Sequence, residues 1–179
     1  MKLTTRKLAA AAMTAAAYAA LTMLLAPISY GPVQCRVSEA LCVLPALMPC
    51  TAWGLFIGCA AANLISSAGL LDVVFGSLAT LGAGLCAAVI GKRGTLRPLP
   101  WGRCALVCLM PAVWNGPIIG GVIAWATVPA DIFWESAALF GAQVAAGELV
   151  AVFALGLPLL RLLPRSKPLA ELIDKTLTE

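Results

Sequence analysis

A chain of 179 residues that is 61% hydrophobic and only 11% charged, with mean hydropathy +0.97, falls outside the soluble globular class, where roughly a quarter of residues are charged. Its length accommodates about six membrane spans of roughly 20 residues each. The net charge of +4 arises from 12 Lys and Arg against 8 Asp and Glu, and the basic residues sort by membrane side instead of forming a nucleic-acid surface.

The first apolar run, residues 8–26, follows a basic head of Lys2, Arg6 and Lys7. It is longer than the 7–15 residues of a signal-peptide core and stops at Ala26-Pro27, a poor cleavage context, so it reads as a retained helix. Ala11, Ala15 and Ala19 recur every fourth residue, as do Ala12, Ala16 and Ala20. Small side chains at that spacing let helices touch in lipid, either within the chain or against another membrane subunit.

A turn-rich loop, residues 27–32, carries an interfacial Tyr30. The second helix, residues 33–48, holds Arg36 and Glu39 three residues apart, on one face, where they pair or share a ligand. Pro45 kinks or ends it. A third span, residues 52–65, breaks at Ser66-Ser67-Ala68-Gly69. Asp72 then reads as an N-cap or first-turn carboxylate for a fourth span, residues 73–90.

The longest polar connection, residues 91–103, contains Lys92, Arg93, Arg97 and Arg103. The fifth span, residues 104–127, is interrupted by Pro111, Gly116-Pro117 and Gly120-Gly121, a density of breakers tolerated only beside protein or a cavity. A loop, residues 128–134, leads to the sixth span, residues 135–160. The charged tail beyond Arg161 is surface-lying or loose.

The fold class expected is all-α, an integral membrane bundle of six transmembrane helices over residues 1–165 with a cytoplasmic tail, residues 166–179. Six spans place Lys2, Arg6, Lys7, Lys92, Arg93, Arg97, Arg103, Arg161, Arg165, Lys167 and Lys175 on one side, eleven of the twelve basic residues. The positive-inside rule makes that side cytoplasmic, with both termini there, and leaves Arg36 alone on the outer side.

Two carboxylates stand out. Glu39 lies one to two turns below the outer surface beside Arg36. Glu148 follows Glu135 by 13 residues, about 20 Å down the sixth helix at ~1.5 Å per residue, past the midplane of a roughly 30 Å core. An intramembrane carboxylate is a functional candidate by default. Asn63, Asn115 and Gln143 add amides inside spans three, five and six, each serving a ligand or gluing helices together. Trp114 offers a stacking surface, whereas Trp125 and Trp134 suit an interfacial belt.

The seven cysteines form no Cys-x-x-Cys, and the chain has no His. They read as small apolar fillers, with no metal site. No phosphate-binding loop and no nucleophile–base pair appears, so the chain is not an enzyme and does not hydrolyse ATP by itself.

Gln34-Cys35-Arg36-Val37-Ser38-Glu39-Ala40-Leu41, Gly54-Leu55-Phe56-Ile57-Gly58 with Asn63-Leu64, and Gly69-Leu70-Leu71-Asp72-Val73-Val74-Phe75-Gly76-Ser77-Leu78-Ala79-Thr80 together resemble the QueT family. Asn115-Gly116 and Gly147-Glu148-Leu149-Val150 continue the resemblance, which covers most of the chain. It implies the substrate-binding membrane subunit (S component) of an energy-coupling factor importer for queuosine precursors, in the cell membrane. The implied partners are a transmembrane coupling subunit and two cytoplasmic ATPases, which alone use ATP; the chain itself needs no cofactor. The implied substrate is a 7-deazaguanine such as preQ0, preQ1 or queuine, with Glu39 or Glu148 accepting its N–H and amino donors. The alanine stripe of the first helix matches the small-residue face that such subunits present to the coupling subunit. Alternatives are an S component for another vitamin or nucleobase, and a stand-alone proton-coupled carrier using Glu148.

Overall fold

The computed structural model describes residues 4–29, 35–66, 69–91 and 99–178. Tyr30 and the basic residues Lys2, Lys92, Arg93 and Arg97 lie outside this set. Every element among the described residues is helical. Six successive segments form the bundle: α1 (Thr5–Leu24), α2 (Val37–Ala46), α3 (Thr51–Asn63), α4 (Asp72–Gly91), α5 (Trp101–Thr127) and α6 (Ala130–Arg165). A final helix, α7 (Lys167–Thr178), follows.

Of these, α1, α4, α5 and α6 are long and apolar enough to cross a membrane. The second and third segments fall short of the expected full spans. Instead, α2 is a ten-residue 3-10 helix with Pro45 inside it. At a rise of about 2.0 Å per residue it reaches roughly 20 Å, where an α-helix of ten residues would reach about 15 Å. The three-residue period also eclipses side chains at i and i+3, which stacks Cys42 under Glu39.

Close helix approach is set by glycine. A Cβ on Gly54 would strike the Ala11 carbonyl, and one on Gly58 would lie 2.6 Å from the Ala15 carbonyl oxygen. The alanines of α1 thus meet the glycines of α3 across a contact only small residues permit. The fifth segment corrects the expectation of an interrupted span, because α5 runs unbroken for 27 residues with Pro111 and Pro117 inside. Its Gly120 serves contact instead of breakage, since a Cβ there would sit 2.5 Å from the Gly141 Cα on α6. Tight packing against α6 holds the helix where each proline removes one backbone donor.

Successive segments reverse direction. One end gathers Lys7, Cys50 and Val89 beside Thr176 of α7. At the same end Arg161 donates to the Leu99 carbonyl at 3.1 Å and lies 3.6 Å over the Trp101 ring. The tail is helical there, with Ile173 buried in an apolar cluster of Val43, Ala87, Leu99, Cys104 and Leu160. The other end gathers Ser29, Arg36 and Asp72. Two turns of π-helix, Asp72–Gly76 opening α4 and Val152–Gly156 within α6, flank the interior. Such insertions are frequent at functional sites because they re-aim neighbouring side chains.

Candidate functional site

The interior between these ends is polar. On α1, Thr14, Tyr18 and Thr22 recur every fourth residue and are all buried. Thr14 and Thr22 return their hydroxyls to their own helix, at the Ala10 and Tyr18 carbonyls, both at 2.8 Å. Thr22 also contacts the Ser38 hydroxyl at 2.7 Å. Tyr18 donates its phenol to Glu39 Oε1, and Cys42 donates its thiol to Glu39 Oε2 at 2.9 Å. Both oxygens of this fully buried carboxylate are therefore held by neutral donors.

The guanidinium of Arg36 forms its ion pair with Asp72, at 3.2 Å, both side chains almost wholly buried. A further bond runs from Arg36 Nε to the Ser29 carbonyl at 3.4 Å. Arg36 and Glu39, expected to pair or to share a ligand, attract one another across the interior, and Asp72 joins them as a partner of the guanidinium. Of the two readings of Asp72, the first-turn carboxylate holds and the cap position falls to Leu71; the side chain, 2% exposed, is turned inward. Asn63 braces the same corner, donating to the Asp72 carbonyl at 2.9 Å. Gly76 makes room, since a Cβ there would lie 2.7 Å from both Asn63 Nδ2 and Asp72 Oδ1.

Deeper along α5 and α6, Asn115 donates to Glu148 Oε1 at 2.6 Å, and both residues are 2% exposed. Glu39 and Glu148 repel one another, and Glu148 is attracted to Arg36. The two carboxylates therefore share one interior instead of marking rival sites. In a region of low dielectric such interactions are many times stronger than in water.

Four acceptor oxygens of these residues are buried without a partner: Asn63 Oδ1, Asp72 Oδ1, Asn115 Oδ1 and Glu148 Oε2, joined by Ser29 Oγ. A buried polar atom without a bond carries most of its desolvation penalty. Five such atoms gather around one polar interior, which makes it the candidate site.

Of the residues singled out from sequence, Arg36, Glu39, Asn63, Asn115 and Glu148 meet here. Trp114 does not: more than a third exposed, it lies on the outside of α4, where its ring blocks a Cβ on Gly82. Gln143 is only half-buried and lies five residues before Glu148, roughly 140° around the helix. Trp125 and Trp134 are largely exposed, bracketing Phe133 in edge-to-face contacts. Among the stripe alanines, Ala11, Ala15 and Ala19 are half-buried and Ala12, Ala16 and Ala20 exposed.

Tyr18, Ser38 and the thiols of Cys42 and Cys59 escaped sequence reading, and Asp72 was read only as a helix-start carboxylate. Cys59 receives the Thr80 hydroxyl at 3.4 Å and the Asn63 amide at 3.5 Å, so neither it nor Cys42 is a mere apolar filler. The usable signal lay in the four-residue polar spacing of Thr14, Tyr18 and Thr22, and in Asp72 standing alone among Leu and Val.

No curated protein and no solved structure matches the chain. The family model described as QueT transporter matches residues 8–165. That span includes every residue of the polar interior and all four membrane-length helices almost entirely, so this multi-pass membrane protein belongs to the QueT transporter family.

Proposed function

We propose that the chain is the substrate-binding subunit (S component) of an ATP-driven energy-coupling factor importer, taking up a 7-deazaguanine precursor of queuosine from the extracellular side. The observation that carries this reading is the set of buried acceptors without donors, Asn63 Oδ1, Asp72 Oδ1, Asn115 Oδ1 and Glu148 Oε2. Such an interior is costly when empty and complementary to a donor-rich ligand. The 2-amino-4-oxopyrimidine edge of a deazaguanine presents a ring N–H and an exocyclic amino group side by side, a match for paired acceptors.

In this reading all six segments cross the membrane, with the end bearing Lys7, Arg103 and Arg161 in the cytoplasm. The Arg36–Asp72 corner then faces outward, above the deeper Asn115–Glu148 pair. Energy comes from two cytoplasmic ATPases through a transmembrane coupling subunit, and the chain binds no nucleotide triphosphate of its own. Ala12, Ala16 and Ala20, exposed along α1, are the small-residue track offered to that subunit.

Binding of tritiated precursor to the purified protein is the test. Wild type is expected to retain label, and Glu148→Ala and Glu39→Ala to lose it. Retention of label by both variants at wild-type affinity would remove the site assignment. Uptake in cells lacking the ATPases would favour a stand-alone carrier over a subunit.

A further inference from the structure

We propose that an anionic phospholipid occupies the groove between α3, α4 and α7, with its phosphate on Lys7 and an acyl chain along Trp53, Leu85 and Val89. This site is separate from the polar interior and does not depend on what that interior binds. The groove has a volume of about 660 Å³ and lies at the end of the bundle that carries Lys7. Its rim is apolar, with Trp53, Leu85, Val89 and Leu177 all exposed along it. Two polar residues line it from within: Lys7 is 6% exposed and Thr176 4%. Lysine is almost never buried so far unless it is paired.

Position along the helices suits a lipid. Leu85 and Val89 fall in the last two turns of α4, a helix of membrane length, and Trp53 in the first turn of α3. That is the boundary between acyl chains and headgroups, where tryptophan rings and snorkelling lysines gather. On its aqueous side the groove is closed by Thr176 and Leu177 of α7. At 100° per residue, α7 sets Leu169, Leu172, Ile173 and Leu177 on one face and Lys167, Glu171, Asp174 and Lys175 on the other. A helix of that pattern lies in the plane of the membrane interface.

Charge selects the headgroup. Ala11 meets Gly54 and Ala15 meets Gly58, so α1 and α3 run parallel and start side by side at this end. Neither has an acidic residue in its first turn, and α1 carries Arg6 and Lys7 there. Helix starts favour anions and disfavour cations, so a phosphate relieves an arrangement that the two basic residues make unfavourable. An ammonium has three N–H donors, and a phosphate oxygen adds to whatever bonds Lys7 makes within the protein. The occupant is thus apolar along most of its length and anionic at one end.

Native mass spectrometry tests this on the purified full-length protein, released from nanodiscs of phosphatidylglycerol and phosphatidylcholine in equal parts with identical acyl chains. Wild type is expected to retain a single phosphatidylglycerol, enriched roughly 10-fold over phosphatidylcholine, the size of a charge-assisted bond. Lys7→Gln is expected to bring the two lipids within about twofold of each other. Val89→Trp fills the groove from its exposed rim and is expected to lower retention of both. Lys175→Gln removes an exposed cation from the same end and is expected to leave the preference unchanged. Equal retention of the two lipids by wild type overturns the proposal, and that comparison needs no variant. A preference that survives Lys7→Gln overturns the placement of the phosphate. A loss in Lys175→Gln as large as in Lys7→Gln makes the preference a property of the whole basic surface, and overturns the site. Displacement of the lipid by glycerol 3-phosphate assigns the groove to a soluble phosphate, and overturns the lipid.

Discussion

Each end of the bundle holds an ion pair, and the two could hardly differ more. Arg36 and Asp72 meet with side chains 4% and 3% exposed. Lys175 and Glu171 meet at 3.8 Å on α7 with side chains 55% and 71% exposed. Around the first pair the interior is polar, bonded across four segments and short of donors. Around the second, both partners stay in solvent, and the neighbouring interior is an apolar cluster of Val43, Val107, Leu160 and Ile173. One end has an apolar core beneath its ion pair. The other is left incomplete, which is a cost to stability and a capacity to bind.

The contact that should fail most severely is the one that brings α1, and with it Tyr18, against the rest of the site. At Gly58 the atoms in the way are backbone of Ala15, so no side chain can swing aside. Gly58→Leu is expected to cost about 3 kcal/mol or more and to remove the monodisperse species from size-exclusion chromatography in detergent. A well-behaved Gly58→Leu protein would mean that α1 does not dock as described.

Next comes the buried pair. Asp72→Ala removes one carboxylate from a buried ion pair, at a cost of about 3–5 kcal/mol, visible as a lowered thermal midpoint. Adding Arg36→Met to Asp72→Ala is expected to recover part of that loss, because the buried guanidinium leaves with its partner. Against these, Ile173→Ala at the opposite end is expected to cost about 2–4 kcal/mol as a cavity while leaving ligand affinity untouched. Equal effects of the two ends on binding would erase the distinction between them.

How much of this was legible in the sequence follows from which interactions are local. The apolar runs, the charge asymmetry and the isolation of Glu39 and Glu148 depend on neighbours along the chain, and they place the helices and two of the site carboxylates. Asp72 and Tyr18 depend on partners 36 and 21 residues away, and no helical period records such a distance. The 3-10 winding of α2 is equally invisible, because no residue pattern along Val37–Ala46 separates it from an α-helix. Pro111 and Gly120 misled for a related reason: a glycine that breaks an isolated helix is, in a packed one, the point of closest approach.

Tyr18→Phe is a milder probe of the same interior. It removes a single hydroxyl and leaves Glu39 Oε1 without its donor, for about 1.5–3 kcal/mol. The measurement is the thermal midpoint of the purified variant, expected below that of wild type by this single bond.

The smallest effect should come from the second ion pair. Both partners are more than half exposed, so water and salt screen the attraction, and holding two long side chains in register consumes rotamer freedom. Lys175→Ala is expected to shift stability by less than about 0.5 kcal/mol, and high salt to erase even that. Lys175→Ala therefore serves as the reference against which Asp72→Ala is read, one charge removed from an i,i+4 pair in solvent and one from a pair in the interior. If the two substitutions cost the same, burial is not what sets the strength of the Arg36–Asp72 contact. The Arg36–Asp72 corner would then be as open to water as α7, and the unpartnered oxygens near it would be solvated.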